Sequence, residues 1–230
     1  AYAKAKQPHP EVFQKFADHI ITLDDLGSFD TQALSNTAWA YATAKDTQPR
    51  LFEKLAVVAV KKKNEFDSQE IANFLWSCAA NGQMDQHLFS SFVPATKSLI
   101  SKCNNQGLAN IAWAYAVADV DAPSLFNEGF IRACLKKKKD FTIRELCQLY
   151  QWHLWQEELK SSIGLPPSLK DSCYKAFVST DPAVSTLQND VFSELTSMGL
   201  HPEEEVITTI GYSLDAVVEV NGQKIGIEVD

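Results

Sequence analysis

Trp39, Trp76 and Trp113 fall 37 residues apart, twice in succession. The same interval relates Asn36, Asn73 and Asn110, then Leu34, Ile71 and Leu108, and then the pairs Leu51-Phe52, Leu88-Phe89 and Leu125-Phe126. Four sets of positions holding one period of 37 residues make an internal repeat. A period of this size belongs to stacked supersecondary units, none of which buries its apolar face without a neighbour.

Within a unit the apolar spacing predicts two helices. The first, Thr31 to Ala44, sets Leu34, Ala38 and Tyr41 on one stripe behind the candidate cap Asp30. The second, about Pro49 to Lys63, opens on proline and carries Leu51, Phe52, Leu55, Val58 and Ala59 inward. Further units run from Asp67 to about Cys103 and from Asn104 to about Lys139, and a fourth first helix, Thr142 to about Glu158, follows with its interval stretched to 38. At the start, Ala1 to Phe13 aligns with Ala40 to Phe52, so the chain is expected to begin inside a repeat, as a fragment whose targeting segment lies upstream.

The repeated tryptophans, set among Ala and Leu, read as core wedges between helices rather than as stacking partners for bases. Asn36, Asn73 and Asn110 admit two readings. They form a side-chain ladder between repeats, or they point into a groove and bond to base edges, because an amide both donates and accepts.

Charge divides the chain. Residues 1–141 hold 16 Lys and Arg against 15 Asp and Glu, whereas residues 142–230 hold 5 against 14. The lysines bunch where second helices end: Lys61-Lys62-Lys63, Lys97 and Lys102, and Lys136-Lys137-Lys138-Lys139. Stacking brings these clusters to one edge, where they suit a phosphate backbone; they also complement helix C-termini as a solvated face. The five cysteines contain no Cys-x-x-Cys pair and read as reduced, mostly buried thiols, and the five histidines lack metal-pair spacing. No apolar run approaches the roughly 20 residues that span a bilayer, which excludes a membrane-embedded chain.

Past Glu157 the period weakens. Gly164-Leu165-Pro166-Pro167 and Thr180-Asp181-Pro182 bracket a helix-like piece, Ser168 to Val178, as a joint between domains. Ser185 to Met198 is amphipathic, with Leu187, Val191, Phe192 and Leu195 on one side, and Gly199 ends it. Asn221-Gly222 then separates two alternating apolar runs, a strong hairpin signal. A two-residue loop pairs Val220 with Gln223, Glu219 with Lys224 and Val218 with Ile225, and continuing the ladder sets Asp215 opposite Glu228 and Ser213 opposite Asp230. Parity puts Leu214, Ala216, Val218, Val220, Ile225, Ile227 and Val229 on the core face and Asp215, Glu228 and Asp230 on the other. Opposed like charges destabilise a sheet. Either a divalent cation bridges these carboxylates and organises phosphodiester chemistry, or they are solvated on an exposed face.

Leu34-Ser35-Asn36-Thr37-Ala38-Trp39-Ala40-Tyr41-Ala42 and its copies resemble the octotricopeptide repeats of algal and plastid RNA-maturation factors, and more distantly the leucine-rich region of FAST-kinase-domain proteins. Gly211-Tyr212-Ser213-Leu214-Asp215 with Lys224-Ile225-Gly226-Ile227-Glu228-Val229-Asp230 is similar to the RAP domain that closes many such proteins. The resemblance implies a mainly α chain: an α-solenoid over 1–156, a connecting segment over 157–183, and an incomplete α/β RAP-like domain of restriction-endonuclease-like fold over 184–230. It also implies a chloroplast or mitochondrial protein that binds single-stranded RNA, within a ribonucleoprotein complex that includes protein partners, and acts in transcript stability, processing or translation. Expected RNA-binding residues are Asn36, Asn73, Asn110, Lys61 to Lys63 and Lys136 to Lys139. Binding itself calls for no cofactor. A metal-dependent endoribonuclease would use Asp215 and Glu228 as ligands for Mg²⁺ or Mn²⁺, with Asp230 as third catalytic position, where an active nuclease of that kind carries Lys. A protein-interaction scaffold is the remaining reading.

Overall fold

The structure is a computed structural model and describes residues 9–179 and 186–229. Ten α-helices precede a small sheet among these residues. The helices are α1 (Pro10–Thr22), α2 (Thr31–Ala44), α3 (Pro49–Lys62), α4 (Ser68–Ala80), α5 (Gln86–Leu99), α6 (Asn105–Val117), α7 (Glu128–Lys136), α8 (Ile143–Glu158), α9 (Pro167–Val178) and α10 (Thr186–Ser197). The strands β1 (Glu203–Ile207), β2 (Ser213–Val220) and β3 (Gln223–Ile227) pair antiparallel in that order.

Side-chain caps fix where the repeat helices begin. Asp30, Asp67, Asn104 and Thr142 each accept a backbone N–H of the first turn of α2, α4, α6 and α8, and Asp67 and Thr142 do so within capping boxes closed by Glu70 and Glu145. Pro49 occupies the first turn of α3, where its missing N–H is no loss. In the third unit the second helix is short: Phe126 lies in the turn before α7, its N–H bonded to the Ala122 carbonyl (2.9 Å), and Asn127 caps the helix.

The first helices pack in series, α2 on α4, α4 on α6 and α6 on α8, while α1, α3, α5 and α7 form a second layer behind them. Small residues at the successive contacts, Ser35, Ala72 and Ala109, let the backbones approach, and the Ser35 hydroxyl donates to the Glu70 carbonyl at 3.0 Å. Between the layers the period recurs as chemistry. Tyr41 donates to the Phe13 carbonyl (2.8 Å) and Tyr115 to that of Phe89 (2.9 Å), each ring meeting that phenylalanine edge-on. Cys78 holds the intervening place, and burial raises its thiol pKa. Cys78, Cys103, Cys134 and Cys173 are buried and Cys147 half-buried, all as thiols outside any disulfide.

Trp39, Trp76 and Trp113 correct the core-wedge expectation, because all three are half-buried and turn one side to the surface. The core is filled instead by the residues flanking them, Ala38, Leu75, Ala112 and Ala114, which are 0 % exposed.

The chain leaves the repeats through α8 and α9. His153 is buried on α8; its Nδ1 accepts the Leu165 N–H (3.3 Å), and its Nε2 lies 3.2 Å from Glu157, itself 2.7 Å from Lys170. Burial first, then the Lys170 ammonium, lowers the imidazole pKa, with Glu157 opposing. An unfolded histidine titrates near 6.5. As pH falls below that value the unfolded chain takes up the proton first, so stability falls until the folded-state pKa is passed. Melting temperatures between about pH 7.5 and 5.5 should therefore decline more steeply for the wild type than for His153→Gln. Parallel declines would remove His153 as the cause.

The sheet docks on this end by one turn. Gly211 has φ +92°, and a Cβ there would come within 3.1 Å of Tyr174 and Val178. Tyr150 donates to the Ile210 carbonyl (3.1 Å) and Tyr212 packs edge-on against Phe177 at 5.0 Å. Gly211→Ala should cost about 1–2 kcal/mol, from the left-handed backbone and the tighter fit against α9. Hydrogen exchange should then speed up in β1–β3 and leave α2–α6 protected; unchanged protection in the strands would contradict this docking.

The Asn221-Gly222 turn forms with both residues at positive φ, and the register runs as expected through Val220↔Gln223, Glu219↔Lys224, Val218↔Ile225 and on to Ala216↔Ile227. There it stops, one step short of the expected Asp215–Glu228 pair. Asp215 Oδ2 accepts the Val229 N–H at 2.7 Å, a side-chain bond in place of the next ladder bond. The face assignment also needs correction: Ala216 and Val218 are buried, but so is Val217 on the opposite face, and Ile225 is 46 % exposed. Among the described residues β2 is central and β3 lies at the edge of the sheet. Leu187, expected inward on α10, is 52 % exposed. The third strand, β1, lies where the sequence predicts only a polar interval.

Candidate nucleic-acid interface

The exposed face of α2, α4, α6 and α8 is built of rows, one residue per helix. Nearest the helix N-termini runs Gln32, Gln69 and Gln106, continued on α8 by Arg144, all exposed. This glutamine row keeps the 37-residue interval and is a pattern that reading the tryptophans and asparagines alone misses. Next come Asn36 (exposed), Asn73 (half-buried) and Asn110 (buried), continued by Gln148. Gln148 Nε2 donates to Asn110 Oδ1 at 3.1 Å, so at this rung the amides bridge adjacent helices. The third row is Trp39, Trp76 and Trp113, with Gln151 on α8.

The Trp76 and Trp113 ring centroids are 6.4 Å apart with 38° between planes. Arg144 places its guanidinium carbon 5.6 Å from the Trp76 centroid. Arg144 thus reaches across α6, which lies between α4 and α8, over a hollow in the face. A cavity of about 560 Å³ occupies the hollow, with Trp39, Trp76, Gln106, Asn110, Arg144 and Gln148 in its wall. A second, of about 550 Å³, lies toward the sheet between Trp113, Trp155, Glu158 and Tyr212. Trp155 is oriented there by its Nε1–H bond to Asp119 (2.9 Å).

The lysine clusters lie along the N-terminal edge of this face. The connections entering α4, α6 and α8 are tied to one another there: Ser68 Oγ lies 3.5 Å from the Lys102 carbonyl, Asn105 Nδ2 donates to the Lys137 carbonyl (3.2 Å), and Cys103 Sγ faces the Ser68 carbonyl. Lys61, Lys136 and Lys139 are exposed, and Lys63, Lys137 and Lys138 are half-buried. Lys62 is engaged elsewhere, donating to the carbonyls of Gly27 (2.8 Å) and Phe29 (2.6 Å), and Lys54 likewise bonds the carbonyls of Ile21 and Leu23. Exposed ammonium groups thus stand beside four helix N-termini along this edge, interspersed with the capping carboxylates Asp30, Asp67, Glu70 and Glu145.

The acidic residues of the C-terminal unit assemble differently from the expected pair. Gln188 on α10 donates from Nε2 to both Glu205 Oε1 (2.9 Å) and Asp215 Oδ1 (3.1 Å), and Ser213 donates to Glu205 Oε2 (2.9 Å). Asp215 therefore has its two oxygens bonded to Gln188 and Val229, with Glu205 as its near carboxylate. Glu228 is exposed beyond the end of β3, and Asp230 lies outside the described residues. Among the described residues no group of three or more His, Cys, Asp or Glu side chains converges as a metal-ligand set, and no helix is long and apolar enough to cross a membrane.

No protein-family model matches the chain, and no curated protein matches it.

Proposed function

We propose that the chain is an RNA-binding protein whose helical repeats, stacked as an α-solenoid, hold single-stranded RNA along the exposed face of α2, α4, α6 and α8. The observation that carries this reading is the half-buried tryptophan row, with two rows of amides beside it and lysine clusters along the edge beyond them. Sequence-tolerant single-strand binding uses these parts: flat aromatic surfaces for unpaired bases and cations along the backbone. A duplex hides its bases and has no use for such a row. Phosphates would follow the lysine edge, bases would lean toward the indoles, and the amide rows would offer donors and acceptors to base edges.

Resemblance of the repeat to octotricopeptide repeats, and of the ending to a RAP domain, supports a role in organellar RNA metabolism, in a chloroplast or mitochondrion and within a ribonucleoprotein complex. Binding, rather than cleavage, is the activity proposed: Asp215 is hydrogen-bonded to Gln188 and a backbone N–H, and its expected partner Glu228 lies beyond the strand pairing. The test is retention of labelled single-stranded and double-stranded RNA in a gel with Mg²⁺ or Mn²⁺ present. Intact single strands should be retained in preference to duplex. Equal retention of both would overturn the groove reading, and cleavage lost in Asp215→Ala would replace it with the nuclease.

A further inference from the structure

We propose that the 560 Å³ cavity between α2, α4 and the first turn of α8 is a nucleotide pocket, in which an unpaired base stacks on Trp76 in the place that Arg144 occupies in the free protein. This rests on the RNA reading of the same face and specifies where one nucleotide sits and which side chain must yield to it.

Three observations converge. Trp76 is a preformed platform, because Trp113 supports its ring on one side at 6.4 Å and the helix contacts α2–α4 and α4–α6 hold its backbone. The ring carries a planar cation, the Arg144 guanidinium at 5.6 Å, reaching from two helices away across the hollow. A guanidinium on an indole keeps an aromatic face covered while remaining exchangeable. It is always charged, weakly hydrated and able to stack on a base as readily as on an indole. An entering base thus replaces one flat group by another on Trp76, and the displaced guanidinium keeps five donors for the base's own phosphate or stacks on its far side.

The third observation is the chemistry at the cavity's α6–α8 side. Gln148 Nε2 is bonded to Asn110 Oδ1 across the helix interface. Both residues line the cavity, and the second atom of each amide, the Asn110 Nδ2 donor and the Gln148 Oε1 acceptor, is outside that bond. A donor and an acceptor together match the edge of every unpaired base, so the pocket selects for a nucleotide without selecting strongly for which one. Its volume lies within the range of ordinary ligand sites. Trp39 closes the opposite wall.

The test is a fluorescence titration of the full chain with a uridine 12-mer, compared with Trp76→Leu, Arg144→Ala and Arg144→Lys, with circular dichroism melts confirming each fold. The wild type should show quenched indole emission on binding. Trp76→Leu should weaken binding about tenfold or more and remove much of the quench. Arg144→Ala, at an exposed position, should weaken binding and lower the log–log salt slope by about one unit. Arg144→Lys should restore the slope but only part of the affinity, since an ammonium does not stack. Wild-type binding with unchanged affinity and quench in both Trp76→Leu and Arg144→Ala would overturn the pocket and leave the groove reading standing. Failure of the wild type to retain the oligonucleotide at low salt would remove both.

Discussion

Phe126→Ala is expected to lower the melting temperature of the chain by about 10 °C. The ring is 2 % exposed and meets Tyr115 at 5.5 Å, Phe130 at 5.2 Å and Trp152 at 5.3 Å between centroids. It therefore joins α6, α7 and α8 at the unit whose second helix is short. Truncating a buried phenylalanine costs about 3–5 kcal/mol, and in a chain of this size each kcal/mol shifts the midpoint by about 2–4 °C. Stacked repeats are held by nearest-neighbour interfaces, so the loss should appear first as early melting of α7–α9 while α2–α4 remain folded. A circular dichroism melt with hydrogen exchange reads both effects. A shift under about 3 °C would mean that the α6–α8 junction is held elsewhere.

Replacing Lys136, Lys137, Lys138 and Lys139 together by alanine is expected to weaken RNA binding about a hundredfold near 0.1 M salt. Every phosphate that the variant no longer neutralises should flatten the log–log salt dependence by about one unit. Folding should be little affected, because Lys137 bonds Asn105 through its backbone carbonyl and that bond survives the change. Lys62→Ala should behave oppositely. Its ammonium bonds the Gly27 and Phe29 carbonyls, so its removal lowers stability and leaves the salt slope alone. Unchanged affinity and slope in the fourfold variant would take the lysine edge out of the binding surface.

The helices are legible in the sequence because their ends carry local chemistry. Asp30, Asp67, Asn104 and Thr142 are strong caps at the repeat spacing, and each begins its helix where the sequence predicts. The hairpin is legible for the same reason, since Asn221-Gly222 selects one turn and one register. The features that the sequence misplaces depend on tertiary packing. A tryptophan once per unit among alanines has the same spacing whether it faces the core or the groove, and only the stacking of α2, α4 and α6 decides. Glu203-Glu204-Glu205 has little strand propensity, yet pairs with β2 because the chain between Gly199 and the docked Gly211 turn returns beside it. The parity rule places Ile225 inside, but an edge strand exposes what a central one buries.

The candidate site divides along the same line. Lysine clusters and amide rows are one-dimensional patterns, and the row Gln32, Gln69, Gln106 is as readable as the asparagines. The Arg144–Trp76 contact is not, because it spans two helices and exists only in the stacked repeats. Nor is the Gln188 bridge between Glu205 and Asp215, which joins three separate elements.

Ultraviolet crosslinking of bound single-stranded RNA, with the attached peptides identified by mass spectrometry, tests the central claim most directly. Crosslinks should fall on the exposed rows of α2, α4, α6 and α8, first at Trp39, Trp76 and Trp113, with the α1, α3, α5 and α7 layer unmarked apart from its lysine ends. Crosslinks confined to that outer layer or to α10 and the sheet, or none in a folded protein at low salt, would contradict it.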